Sequence, residues 1–207
     1  SVLGAVNPQM MADALPSLRA MGGRSTLFVS VAAGITIATF EDILGADTPI
    51  VRSMPNTPAA ISKGITAIVA NQVAGESALE EAELLLSAVG AVVRLTDEGQ
   101  IDAVTGVSGS GPAYVFHLIE TLAAAGAVQG LPDDLALQLA KATVAGAGAL
   151  AMAAAVTPAQ LRVNVTSPNG TTQAALEVLM DAENGFPALL QRAVKAATDR
   201  SKELARG

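Results

Sequence analysis

At 207 residues the chain can form one or two domains with a real core, and 51% hydrophobic against 15% charged residues, with a mean hydropathy of +0.46, exclude a disordered chain. Twelve basic against nineteen acidic side chains give a formal charge of −7, and there are four Phe, one Tyr and no Trp, so neither nucleic acid nor an anionic membrane is an expected partner, since both need clustered Lys and Arg or stacking rings. Absent cysteine removes thiol catalysis, disulfides and Cys-ligated zinc, and the single histidine, His117, leaves no multi-His metal site, so no metal is expected.

The chain opens at Ser1 inside an apolar run, which reads as a strand over residues 2–6 entering Pro8. A helix follows with Met10, Met11, Ala14, Leu15 and Leu18 near one face, stopping at Gly22-Gly23. Residues 27–31 read as a buried strand, and Thr36 as the cap of a short helix with Ile37, Phe40, Ile43 and Leu44 inward. Next come a strand near Ile50-Val51, the loop Met54-Pro-Asn-Thr-Pro58 and a strand over 65–69. A helix with the capping-box spacing Ser77-x-x-Glu80 and a strand over 92–95 complete this part. Such alternation predicts an α/β layer with a largely parallel sheet.

From Gly106 onward every apolar run has helical spacing. Gly106-Val-Ser-Gly-Ser-Gly111 reads as a boundary, and Pro112 suits the first turn of a helix to about Gly126. A long helix follows Pro132, with Asp133 and Asp134 where the helix dipole favours acids. Its stretch 142–156 carries no charge and is rich in Ala and Gly; fifteen residues fall short of the roughly 18–20 of a membrane span, so it is expected to pack in a subunit interface. Thr157-Pro158 opens another helix, Thr166 to Gly170 break the chain, and two helices finish it, separated near Gly185-Phe-Pro187. The expected division is an α/β domain over 1–105 and an all-helical domain over 106–207. Tyr114, Phe116 and Phe186 are expected in the core, His117 on a helix surface, and Glu80, Glu81 and Glu83 on a solvated face.

Among glycine motifs, Gly146-x-Gly148-x-x-Ala151 matches a dinucleotide fingerprint only formally, because no strand precedes it and it lies inside the apolar helix. More informative is Thr166-Ser-Pro-Asn-Gly-Thr-Thr172, leading into a helix. Backbone N–H groups at a helix start, with hydroxyls beside them and no basic residue, suit a small carboxylate. The same residues also suit an ordinary Ser/Thr-rich cap.

The run Leu161-Arg-Val-Asn-Val-Thr-Ser-Pro-Asn-Gly-Thr-Thr172 resembles the signature of the pyrroline-5-carboxylate reductases, enzymes of the last step of proline synthesis. Three further segments agree in order: Ala5-Val-Asn-Pro-Gln9; Ser30-Val-Ala-Ala-Gly-Ile-Thr36 with Met54-Pro-Asn-Thr-Pro58; and Gly106-Val-Ser-Gly-Ser-Gly-Pro-Ala-Tyr114. The resemblance implies a Rossmann-like domain binding NADPH or NADH, then a helical domain through which subunits pair as a homodimer or higher homo-oligomer, with each active site between the two domains. It also implies that the α/β domain is incomplete here, with a strand–helix–strand unit of about 30 residues or more, carrying the glycine fingerprint, ahead of Ser1.

Carried over by position, Ala5, Val6, Asn7 and Pro8 would line the cofactor's pyrophosphate and nicotinamide side. Val31 and Ala33 would touch the nicotinamide, and Asn164 would donate to the cofactor. Gly170, Thr171 and Thr172 would hold the substrate, with the Thr172 hydroxyl as the catalytic group near the imine nitrogen. Asn7 stands where the family usually has Lys, which removes a charge. Asn169 stands where Gly is commonest, and Asn accepts the left-handed conformation better than most residues.

Reducing a cyclic C=N bond asks the protein to position two flat rings and anchor a carboxylate, while the cofactor carries the hard step. A competing reading is a non-catalytic helical dimerisation protein. A related hydroxyacid or imine reductase would place a catalytic Lys on the helix after the glycine-rich boundary, and residues 112–126 contain none. The expected compartment is the cytoplasm, read from the lack of Cys and of a membrane span.

Overall fold

A computed structural model of the chain describes residues 2–4, 16–23 and 25–205. These fall into two compact units: Ser1–Pro112 together with Ala193–Gly207, and Ala113–Arg192. The helical half defined by spacing begins at 106, whereas the second unit begins at Ala113 and the chain's last fifteen residues count with the first.

The first unit is built on five strands, β1 (Val2–Gly4), β2 (Phe28–Ser30), β3 (Ile50–Met54), β4 (Gly64–Ala70) and β5 (Gly90–Arg94), adjacent in that order. All neighbours are parallel except β3 and β4. That antiparallel pair departs from a uniformly parallel expectation for a simple reason: residues 55–63 are too few for a crossover and must turn straight back. Their turn is a 3-10 helix, Thr57–Ile61, and Asn56 Oδ1 accepts the Ile65 N–H at 3.0 Å where β4 starts.

Strand alternation divides the core. Phe28, Ile50 and Val69 face one side, covered by helix α1 (Ile37–Leu44) through Ile37, Phe40 and Leu44. Val29, Val51 and Ile68 face the other, covered by α2 (Gly75–Leu86) through Ala78, Ala82 and Leu86. Each large side chain buried this way contributes about 1.5–3 kcal/mol. Thr36 caps α1 as expected, its Oγ1 accepting the Thr39 N–H at 3.2 Å. The Ser77 expectation is corrected: α2 begins two residues earlier with Ala74 as its uncapped N-terminal flank, so Ser77 is already helical. The capping box instead joins Asp97 and Gln100. Of the expected solvated acids, Glu80 and Glu81 are exposed, while Glu83 binds Arg94 at 2.7 Å.

The glycine-rich segment does not interrupt the helix, and the division between the two units falls directly after it, at Pro112. After α3 (Ile101–Val104) the chain stays helical through a π turn, Thr105–Gly109, and continues as α4 (Gly111–Val128). Glycine weakens a helix by roughly 1 kcal/mol per residue without forbidding it.

The second unit contains most of α4, then α5 (Asp133–Ala153), α6 (Pro158–Asn164), α7 (Thr171–Leu179) and the start of α8 (Phe186–Leu204). No residue of α4 is buried, and only Ala136 and Ala140 of α5 are. Phe116 is 60% exposed, Phe186 40%, and Tyr114 half-buried, so none is core in the single chain. Helix α5 is long and apolar enough to cross a membrane by length and composition. A count of uninterrupted apolar residues misses this because Lys141 and the leading acids break the run while leaving the mean hydropathy high.

Candidate active site

In the first unit, β2 delivers Val31 and Ala33 into the loop beyond its carboxyl end, where ligands bind in open α/β sheets. Val31 is half-buried and Ala33 exposed. The start of this loop is fastened by Ser30: its Oγ accepts the Ala32 N–H at 3.2 Å, and its carbonyl accepts the Ser53 hydroxyl at 2.8 Å. Gly34, at φ +75, turns the chain toward Thr36 in a conformation that disfavours any side chain. An exposed, uncharged loop of small residues fits a flat aromatic ring better than a phosphate. Ala5, Val6, Asn7 and Pro8 lie outside the described residues.

In the second unit, Thr157 caps α6, its Oγ1 accepting the Gln160 N–H at 3.2 Å. Asn164 is the last residue of that helix and exposed, and its Oδ1 accepts Gln160 Nε2 at 2.8 Å. This holds the amide oxygen and leaves its NH2 group to donate. The chain then turns: Thr166 Oγ1 donates to the Arg162 carbonyl at 2.6 Å, and the Gly170 N–H donates to the Ser167 carbonyl at 3.0 Å. Asn169 sits at φ +59, the left-handed conformation expected of a residue replacing Gly. Its N–H donates to Gln173 Oε1 at 2.7 Å, tying the turn to α7.

Gly170 is the N-cap of α7 and offers no side-chain cap. A methyl group on it would lie 3.0 Å from the Ser167 carbonyl oxygen. The first amides of α7, those of Thr171, Thr172 and Gln173, lack intrahelical acceptors by the geometry of any helix start. Thr171 is exposed and Thr172 half-buried. Three successive residues thus present N–H groups and two hydroxyls at the positive end of a nine-residue helix. An open groove in this unit, lined by Arg162, Thr166, Gln173, Leu176, Glu177 and Met180, takes in none of Gly170, Thr171 and Thr172.

His117 lies on the surface of α4, its Nδ1 3.0 Å from Glu120 Oε2, both side chains about three-quarters exposed. Spacing overlooked Arg52 and Glu98. Arg52 is only 4% exposed on β3, and its Nη1 donates to Glu98 Oε1 at 2.6 Å. An Arg inside the apolar run of a central strand was the available signal, because a buried guanidinium needs an acid.

Residues 98–204 match the family model described as pyrroline-5-carboxylate reductase dimerisation. A pyrroline-5-carboxylate reductase of Pseudomonas aeruginosa is 46% identical over 204 residues, covering 99% of this chain and 74% of that protein. Among solved structures, a pyrroline-5-carboxylate reductase from Coxiella burnetii superposes with a TM-score of 0.92 at 37% identity, over 99% of this chain and 75% of that one. The Plasmodium falciparum pyrroline carboxylate reductase with NADP bound gives a TM-score of 0.86 at 29% identity, over 98% and 76%.

Proposed function

The chain belongs to the pyrroline-5-carboxylate reductase family, and from that premise we propose that it reduces 1-pyrroline-5-carboxylate to proline with NADPH or NADH, in the last step of proline synthesis. The observation carrying this reading is the uncharged start of α7, where Asn169 in the left-handed conformation leads into Gly170 and the amides and hydroxyls of Thr171 and Thr172.

When bound, the reduced nicotinamide supplies the hydride that the imine carbon gains while the nitrogen takes up a proton. The Thr171 amide anchors the substrate carboxylate, favoured by the helix dipole, while Gly170, whose own N–H is held by the Ser167 carbonyl, lets the substrate come close to the helix start. The Thr172 hydroxyl hydrogen-bonds the ring nitrogen as it gains its proton. Val31 and Ala33 offer the apolar wall for the nicotinamide, Asn164 donates an amide hydrogen to the cofactor, and Ala5, Val6, Asn7 and Pro8 complete that side. Residues 1–105 thus serve the cofactor, and 106–207 serve substrate binding and subunit pairing, with Asn164 reaching the cofactor from that part.

In the same proposal the enzyme works in the cytoplasm as a homodimer or higher homo-oligomer, without nucleic acid or membrane. Its charge of −7 supports the absence of polyanionic partners. The test is to incubate the purified full-length protein with pyrroline-5-carboxylate and NADPH or NADH, following nicotinamide oxidation and proline together. Proline formed in step with oxidised nicotinamide is expected. Nicotinamide consumed without proline, or neither change, overturns the reading.

A further inference from the structure

Glu98 meets the fold at an unusual junction. One oxygen, Oε1, accepts both Arg52 Nη1 at 2.6 Å and the Ile37 N–H, the first amide of α1, at 2.8 Å. Arg52 pairs in register with Ser30, the residue that fastens the start of the Val31–Ala33 loop. The loop is therefore held at both ends: by Ser30 where it leaves β2, and by Glu98 where it enters α1 after the Thr36 cap. Glu98 is itself fixed by its neighbours, since Asp97 Oδ1 accepts the Gly99 N–H at 2.7 Å and Gln100 reaches back to the Asp97 backbone.

Arg52 explains why an acid is required. It is buried in the central strand, its Nε has no hydrogen-bond partner among the described residues, and Glu98 is the acid paired with it. A buried guanidinium with one donor already orphaned holds its remaining partner tightly, because losing that partner would strand a charge in the core. Glu98 in turn offers a negative charge to the positive end of α1. Two residues 46 positions apart thus set the height and angle of α1, and with it the path of residues 31–36.

The geometry points to Glu98, locked by Arg52, as a positioning residue that shapes the Val31–Ala33 loop for the nicotinamide ring. This rests on the proposed reading that Val31 and Ala33 contact the nicotinamide. Glu98 touches neither substrate nor cofactor and acts through Ile37 and the loop before it.

The test compares Glu98→Ala, Glu98→Gln and the double variant Arg52→Met/Glu98→Gln with the unaltered protein. NADPH dissociation constants, the KM values of cofactor and of pyrroline-5-carboxylate, and kcat at saturating cofactor are measured for each. Glu98→Ala is expected to weaken NADPH binding about tenfold, as for one lost charge-assisted hydrogen bond. The KM of the imine and kcat at saturating cofactor should stay within about twofold. Glu98→Gln keeps an acceptor for the Ile37 N–H but loses the ion pair, so its NADPH affinity should fall between the two.

If Glu98→Ala fails to fold, the double variant decides, since it removes both charges and leaves no stranded cation; it too should bind NADPH more weakly. A purely structural role would lower thermal stability and the active fraction while leaving the cofactor KM unmoved, and that pattern overturns the inference. So does unaltered NADPH affinity in Glu98→Ala or the double variant. An unaltered protein that neither binds NADPH nor reduces the imine overturns the proposed function and this inference together. One that does both, beside unshifted variants, overturns this inference alone.

Discussion

Gly106 lies so close to Thr198 that a methyl group on it would stand 2.5 Å from Thr198 Oγ1 and 3.0 Å from the Val194 carbonyl oxygen. The π turn Thr105–Gly109 brings this backbone against α8 within the first unit, and Ser201 Oγ secures the same pairing by donating to Asp102 Oδ1 at 2.6 Å. Gly106→Ala is expected to destabilise the fold by about 1–3 kcal/mol through overpacking. A lower urea midpoint with unchanged slope would report it. Thr198→Ala in the same protein should recover part of the loss, since it removes the hydroxyl but leaves the Val194 carbonyl. An unmoved midpoint in the single variant would refute the close packing.

Thr172→Val keeps the shape of the side chain and deletes its hydroxyl. If that hydroxyl meets the imine nitrogen, turnover should fall by the worth of one hydrogen bond in a reacting site, about 1–3 kcal/mol, with nicotinamide affinity little changed. Steady-state kinetics with each substrate varied in turn separates the two effects. Wild-type turnover would remove Thr172 from the chemistry.

Among the described residues, Gly146 and Gly148 have nothing within 4 Å of where a methyl group would stand. In an isolated chain, Gly146→Leu would therefore meet no clash and would raise helix propensity. Packing against a second copy predicts the opposite, with association weakened by about 1–3 kcal/mol or more as the added bulk overpacks the contact. Sedimentation at micromolar concentration distinguishes them. The unaltered protein should be a dimer with an interface above the ~2,000 Å² typical of permanent contacts. A well-folded monomer would leave α5 without that partner.

Asp181 holds the turn before α8: its Oδ1 accepts the Asn184 N–H at 2.7 Å and the Glu183 N–H at 3.0 Å. These bonds, the Asn184 one foremost, favour the charged form and depress its pKa below the usual carboxylate value of about 3.9. A depressed folded-state value means the contribution is present above the unfolded value and is lost as pH falls through the folded one. Protection of the Glu183 and Asn184 amides, measured as exchange relative to the intrinsic rate at each pH, should accordingly be steady from neutrality to mildly acid pH and fall only below it. Asp181→Asn should remove that acid-dependent step. Loss of protection already near neutrality would refute the assignment.

Local chemistry was legible in the chain alone. Thr36 and Thr157 cap the helices they precede, and Asn169 adopts the left-handed turn, because each outcome depends on a few adjacent residues and one or two hydrogen bonds. The four ordered motifs identified the family for the same reason: they are short and contiguous. Ser77 misled because capping-box spacing recurs inside helices, and within Gly106 to Gly111 the chain stays helical where glycines suggested a break, with Gly106 packed closely against α8.

Among the described residues, the sequence by itself determined the order and type of most elements and the residues of the α7 start. Tertiary structure alone decided the rest. The β3–β4 reversal follows from a short connection whose partner strand must also be known. The Arg52–Glu98–Ile37 junction joins three separate segments, and no periodicity relates them. Phe116 illustrates the remaining class: an apolar helical position reads as core, yet only the assembled chain shows whether its own fold covers it, because burial is a property of neighbours and not of the side chain.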